Sequence, residues 1–339
     1  MTGAQSPRPR VRALFGTTSC GLATGVRAAL GMLSEAERIR IVGSEQDADV
    51  VHTIGTVNVR TPGSGRRVHT VDHIPLRTGQ LAPAAWWVRN VRHDVPRTAS
   101  WLTHGRTAGR LLVDAGVAPG ERVYCLSLLP PLSRLTWLSP ALPNRSTRAA
   151  IRNLLGIAPG VRLVLGVEPT TSRPGAGEWA AAVAGLRRPD VAVVQIRPGQ
   201  NADADFWRVR LATGRELPDA LGLAELLVAA DLYVAAGHGL AACNPGTAAV
   251  ASGLPLIAVT TDSAAELVRS GTTGYVVPPR ADCVARAVDA QVEAGLPARG
   301  LTGGDPPQAP RLAELAHELL AAYRRALSSP LARTMGGAA

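Results

Sequence analysis

Asn244, Pro245, Gly246 and Thr247 stand directly before a run of Ala and Val that ends in Ser252-Gly253. Proline is tolerated in a first helical turn and glycine ends a helix, so "PGTAAVASG" predicts a short helix opening at Pro245. The first N–H groups of a helix have no partner inside it and attract an anion. Thr247 can add a hydroxyl donor, and the same residues also suit a plain N-cap. Gly21 and Gly25, in "SCGLATGVRAALGML", let a backbone approach a ligand, or let a helix pack tightly on a sheet. His52, His69 and His73 fall at the ends of apolar, strand-like runs. His73 is the strongest candidate among them for a ligand contact, whereas a buried, satisfied ring suits His52. Metal chemistry has little to work with. Cys20, Cys125, Cys243 and Cys283 lie far apart without ligand spacing, and the Asp-Ala-Asp runs at 47–49 and 203–205 read as loop acids.

These residues need elements to hold them. In the first half "VRALFG" (11–16), "RIRIVG", "ADVVHTIG" and "RRVHTVDH" read as strands, with a helix over Gly21–Leu33. "SWLTHGRTAGRLLVDAG" reads as a strand running into a helix, and "ERVYCLSLLPPL" closes the half. "LSPALPNRSTR" (138–148) reads as a linker. Beyond it, "RLVLGVE", "VAVVQI", "DLYVAAG", "PLIAVT" and "GYVVPP" read as strands. Between them "GEWAAAVAGL", "ELPDALGLAELLVAA" and "PGTAAVASG" read as helices. "PRLAELAHELLAAYRRAL" places Leu312, Leu315, Leu319, Leu320 and Tyr323 on one helical face. The tail after Ser329 reads as disordered. Alternating strands and helices in two halves predict two α/β domains with parallel sheets.

Composition agrees and narrows the partners. The chain has 339 residues, 46% hydrophobic and 4% aromatic, enough for two cores filled by Ala, Val, Leu and Gly. Its net charge of +10 comes from 36 basic residues, all arginine, spread without a block. That spread argues against nucleic acid and leaves anionic substrates or a membrane surface. Separated cysteines suit reduced thiols in the cytoplasm, and "MTGAQSPRPRVRALFG" lacks the apolar stretch of a signal peptide. "AAWWVRNVRHD", with Trp86, Trp87 and Arg89, could be a binding platform or a membrane contact, with packing as the default.

The order of motifs resembles the family-4 (group 1) retaining GT-B glycosyltransferases along nearly the whole chain. "ADVVHTIG" is similar to that family's "DVVHxHG", and "VHTVDHIPLR" to "vvTvHDlip", with the His and Asp order inverted here at Asp72 and His73. "VRLVLGVEPTTSRPG" takes the place of "vvlfvGRlxxeKG", and "ELPDALGLAELLVAADLYVAAG" of "elaalyaaADvfvlPS". The most specific likeness is that of "ASGLPLIAVTTDSAAELVRSGTTGYVVPP" to "AcGlPVvatdvGGipElvxdGxtGlLVpp".

The resemblance implies a GT-B fold, with two Rossmann-like domains facing an interdomain cleft. Residues 8–137 would form an acceptor-side domain, 138–148 a linker and 149–308 a nucleotide-sugar domain, with a helix over 309–328 returning toward the first. It implies transfer of a sugar, with retention, from a nucleotide diphosphate, without metal or resident cofactor. The co-substrate would be a UDP- or GDP-sugar. The acceptor would be a small molecule, glycan or lipid-linked molecule, met in the cytoplasm or peripherally at the inner membrane face. The leaving diphosphate would meet Gly21, Gly246 and Thr247. Arg173 stands at or beside the family's lysine, while the family's arginine position is Val167. The two donor-binding glutamates fall at Leu240 and Ala248, where no side chain can accept a hydrogen bond. His238 and Asn244 could each replace one contact, and Glu266 matches the glutamate of "pE". His73 would touch donor or acceptor sugar. The missing carboxylates keep open a non-catalytic GT-B protein that scaffolds an active partner, and, further off, an epimerase-like GT-B enzyme.

Overall fold

The computed structural model describes residues 8–15, 22–55, 66–71, 73–76, 82–92, 98–126, 145–167, 186, 188–198, 207–211, 216–217, 223–236, 239–241, 245–295 and 312–329. The chain divides into two compact units. One comprises Met1–Ile74, Pro83–Ser127 and Pro310–Ala339; the other comprises Pro75–Ala82 and Leu128–Ala309.

The first unit is built on six parallel strands, β1 (Arg10–Phe15), β2 (Arg40–Ile41), β3 (Val50–Ile54), β4 (Arg66–Thr70), β6 (Thr98–His104) and β7 (Val123–Leu126). Their order in the sheet is β2-β1-β3-β4-β6-β7. A further short strand, β5 (His73–Pro75), follows β4. Every residue of β3 and β6 is buried, as a parallel sheet covered on both faces requires. The helices are α1 (Leu22–Glu35), α2 (Ala85–Arg92), α3 (Arg106–Asp114) and, from the end of the chain, the helix over Leu312–Ser328. That last helix packs on α1 and across β3, β4, β6 and β7, with Leu315, Leu319, Leu320 and Tyr323 buried and Leu312 only half-buried. On the opposite face α3 lies so close to the sheet that a methyl at Gly109 would stand 3.2 Å from the Cys125 sulfur.

The second unit holds seven strands in the order β11-β10-β9-β8-β12-β14-β15. They are β8 (Arg162–Val167), β9 (Val191–Pro198), β10 (Trp207–Leu211), β11 (Glu216–Leu217), β12 (Leu232–Ala235), β14 (Leu256–Val259) and β15 (Gly274–Val277), with short β13 (Gly239–Ala241) between β12 and β14 in the chain. The helices are α4 (Arg145–Leu154), α5 (Leu223–Ala229), α6 (Pro245–Ala251) and α7 (Ala281–Glu293), so the C-terminal helix of the first unit is α8. Side chains alternate between two cores. Leu163, Leu165, Tyr233, Leu256 and Ala258 meet Ile151, Leu155, Leu226 and Ala249. Val164, Leu232, Val234, Ile257 and Val259 meet Val284, Val288 and Val292 of α7.

Three sequence expectations need correction. The second sheet is not wholly parallel, because β10 runs antiparallel to its neighbours β9 and β11 near the edge, while β9 is parallel to β8. The alternation Trp-Arg-Val-Arg-Leu at 207–211 is the signal for β10, a strand with two different faces. Glu216 and Leu217, read as helical, pair with β10, and the helix starts only at Leu223. α4 starts at Arg145, inside the stretch read as a linker. It is held there by charge. Arg148 donates to Asp231 at 2.6 Å and to the carbonyls of Val228 and Ala230. Arg152 donates to Asp231 at 3.1 Å and to the carbonyls of Ala229 and Val161. Guanidinium groups at the exposed carbonyl end of α5 are favoured electrostatically, and a polar run such as "NRSTR" does not reveal such partners. The helix read at "GEWAAAVAGL" lies outside the described residues except Leu186, and the tail beyond Ser329 lies wholly outside them.

Candidate functional site

In the second unit, β8, β12 and β14 are parallel neighbours, so their carboxyl ends lie side by side. Ligands of open α/β sheets bind outside such ends. β8 ends at Val167, in register with Ile196 of β9. After β12, α6 starts at Pro245 as the helix signal predicts, with Gly246 buried in its first turn. Ala248, Ala249 and Val250 follow, all buried, and Ala248 is 1% exposed. The counted glutamate position 248 therefore lies in the apolar core, where an unpaired carboxylate would be costly. Ser252 closes the helix by donating to the Ala248 carbonyl at 2.7 Å.

After β14 the chain makes a tight turn that fixes a second group. Asp262 accepts the N–H of Ala264 at 2.8 Å and so caps a 3-10 turn over Ser263–Leu267. Ser263 and Ala264 are buried while Glu266 is exposed on the outside of the turn. This turn packs on α6. Burial raises the pKa of the Tyr233 hydroxyl, and the Asp262 charge raises it further. Beyond the turn, Gly274 has φ 150°, and a Cβ there would lie 1.7 Å from the Leu256 carbonyl oxygen. The glycine of "TTGYVV" lets β15 lie against β14.

The remaining residues of the expected set are less visible. Gly21, Arg173, His238 and Asn244 lie outside the described residues. Thr247 is in α6 and His73 opens β5, but the side chains of both lie outside the described set, as does that of Leu240 in β13.

In the first unit, His52 sits mid-strand in β3, not at a strand end, and is fully buried. Its Nδ1 lies 2.8 Å from the Tyr323 hydroxyl and its Nε2 lies 2.7 Å from the Thr70 hydroxyl. A neutral imidazole has one donor and one acceptor nitrogen, and both are used. Burial, with the nearby His69, holds its pKa down at about 3. His52 therefore joins α8 to the sheet, and the reading of a satisfied histidine fits its surroundings. His69 projects from the other face, where Nδ1 meets the Thr53 hydroxyl at 2.7 Å and the ring stands edge-on to Trp101. Burial and then Arg67 hold His69 down at about 4. Asp49 of the first Asp-Ala-Asp run is engaged by Arg10, through the backbone N–H at 2.8 Å and the guanidinium at 2.8 Å. Among the described residues no cluster of His, Cys, Asp and Glu could hold a metal ion, and no helix is long and apolar enough to cross a membrane.

Comparison with known proteins places this architecture. Anabaena HepE, solved in complex with UDP, superposes with a TM-score of 0.59 at 13% identity, covering 94% of this chain and 96% of that one. This is a GT-B fold. A sucrose-phosphate synthase from Thermosynechococcus elongatus matches the GT-B chain with a TM-score of 0.58 at 14% identity, over 95% of this chain and 97% of that one. A glycosyltransferase from Rickettsia africae matches with 0.57 at 10% identity, over 96% and 94%. Within the second GT-B unit, residues 179–293 match the family described as Glycosyl transferases group 1. No curated protein matches the sequence.

Proposed function

We propose that the protein is a metal-independent, retaining glycosyltransferase that takes a sugar from a nucleoside diphosphate. One observation carries the reading. The group 1 match covers residues 179–293, the stretch that places α6 and the Glu266 turn behind the parallel ends of β12 and β14. In the proposed reaction the bond between the sugar C1 and the diphosphate oxygen breaks. An acceptor hydroxyl bonds to C1 on the same face and passes its proton to the departing diphosphate oxygen. The departing diphosphate is stabilised by the N–H groups of Gly246 and Thr247, the Thr247 hydroxyl and the Arg173 guanidinium. Glu266, His238 and Asn244 contact the donor sugar or ribose in this proposal, in place of the glutamates that Leu240 and Ala248 do not supply.

A second reading has its own support. Ala248 is enclosed by the core and position 167 is a valine, so two donor contacts and one cation are missing. Losing a hydrogen bond to a charged group costs about 1.5–3 kcal/mol, so these losses together suit a GT-B protein that scaffolds an active partner.

A thermal-shift panel of UDP-, GDP- and ADP-sugars separates the two, because a ligand that binds only the folded state raises its stability. The enzyme reading expects a shift with one donor, slow donor hydrolysis, and no loss of either on adding EDTA. It further expects Arg173→Ala to weaken nucleotide binding by ~10- to 100-fold with the fold intact. If the parent chain responds to no nucleotide, the scaffold reading stands. Activity lost on chelation and restored by magnesium or manganese would overturn the metal-independent mechanism.

A further inference from the structure

We propose that helix α2 is a docking element for an anionic phospholipid surface. Trp87 of α2 is buried at 7% exposed, while its neighbour Trp86 is 56% exposed. Arg89 and Asn90 are exposed as well. Spacings of three and four residues put Trp86, Arg89 and Asn90 on one side of the helix. An indole has an apolar body and a polar N–H, and it is most stable at the level of lipid headgroups. A guanidinium one turn away stands where lipid phosphates lie.

Charge complementarity selects the occupant. Between Arg77 and Arg110 the sequence carries six arginines and a single acid, Asp94. Arg106 and Arg110 are exposed on α3 of the same unit, together with Val113 at 40%. The whole chain carries +10 without a lysine, so this positive charge persists at every physiological pH. One interfacial tryptophan with a basic surround gives reversible, salt-sensitive attachment and not insertion. Vesicle binding is read without any transfer reaction.

The test uses the full-length protein. It is sedimented with vesicles of phosphatidylcholine alone and of phosphatidylcholine mixed with phosphatidylglycerol, at low and raised salt. Trp86→Ala and Arg89→Glu are run in parallel, with circular dichroism and thermal melts to confirm folding; both side chains are exposed, so the fold should persist. The parent should pellet with the mixed vesicles only, and less at raised salt. Each substitution should lower partitioning, Arg89→Glu by roughly fivefold or more. The proposal is overturned if the parent stays in the supernatant with mixed vesicles, or if both variants pellet as the parent does. It is also overturned if labelled single-stranded DNA binds more tightly than the vesicles and depends on Trp86, since that face would then read nucleic acid.

Discussion

Replacing Tyr323 by phenylalanine isolates the bond that fastens α8 to the first sheet. Tyr323 is fully buried, its ring stands edge-on to His52 at 5.6 Å, and its hydroxyl lies 2.8 Å from His52 Nδ1. Phenylalanine keeps the ring and its packing but leaves a buried nitrogen unpaired. The other ring nitrogen stays bonded to Thr70, so the cost is that of one buried, unsatisfied polar atom, about 1–3 kcal/mol. If α8 opens locally, the same energy appears as a roughly 5- to 150-fold loss of amide protection over Leu312–Ser328. Hydrogen–deuterium exchange measured by mass spectrometry reads this directly, and does so even if the two units unfold separately. Peptides of α7 and β14 in the second unit serve as internal controls and should not change. If α8 exchanges in the variant at the parent rate, the hydroxyl contributes nothing and His52 does not tie the helix down. A uniform loss across both units would also refute the reasoning, because the effect would then not be local to the lock.

Acid should weaken the same unit. His52 titrates at about 3 in the fold against an ordinary 6.5, so below 6.5 the unfolded chain takes up a proton that the folded chain refuses. Stability present above pH 6.5 is therefore lost as pH falls toward 3, at up to about 1.4 kcal/mol per pH unit from His52 and a like amount from His69 until about pH 4, and urea midpoints at pH 7, 6 and 5 should fall in that order. A midpoint independent of pH over that range would contradict the buried, neutral ring. Gly274→Ala should destabilise the second unit by roughly 3 kcal/mol or more, because its Cβ meets the Leu256 carbonyl of the neighbouring strand; a soluble variant with an unchanged melt would refute this. Asp231→Ala should cost about 3–5 kcal/mol, since it leaves Arg148, Arg152 and the Leu163 N–H without their shared carboxylate. Chemical denaturation of that variant checks the figure, and Asp231→Asn should recover part of the loss by keeping an acceptor.

Much of the architecture was legible before any coordinates, because it depends on local pattern. Apolar runs such as "RLVLGV" and "PLIAVT" became β8 and β14, and the Pro-Gly-Thr opening became the first turn of α6. The leucine stripe of 312–323 likewise marked a helix with one buried face. These elements are set by side-chain periodicity and by what proline and glycine do to a backbone, and both are written residue by residue. The tertiary structure decided the rest, because partners distant in sequence were needed. Position 231 is an acid before a strand in the sequence, and only the fold shows it gathering two arginines from α4. His52 could be read as a buried, satisfied ring, but the hydroxyl that satisfies it lies 271 residues away, so its partner could not be read from its neighbours. Ala248 could be read as a missing carboxylate, but only packing shows it enclosed among Ala249, Leu226 and Tyr233, where a charge would be unpaired. The sequence carries the periodicities that make strands and helices, while burial and long-range pairing, which assign each polar group its role, exist only once the chain has closed on itself.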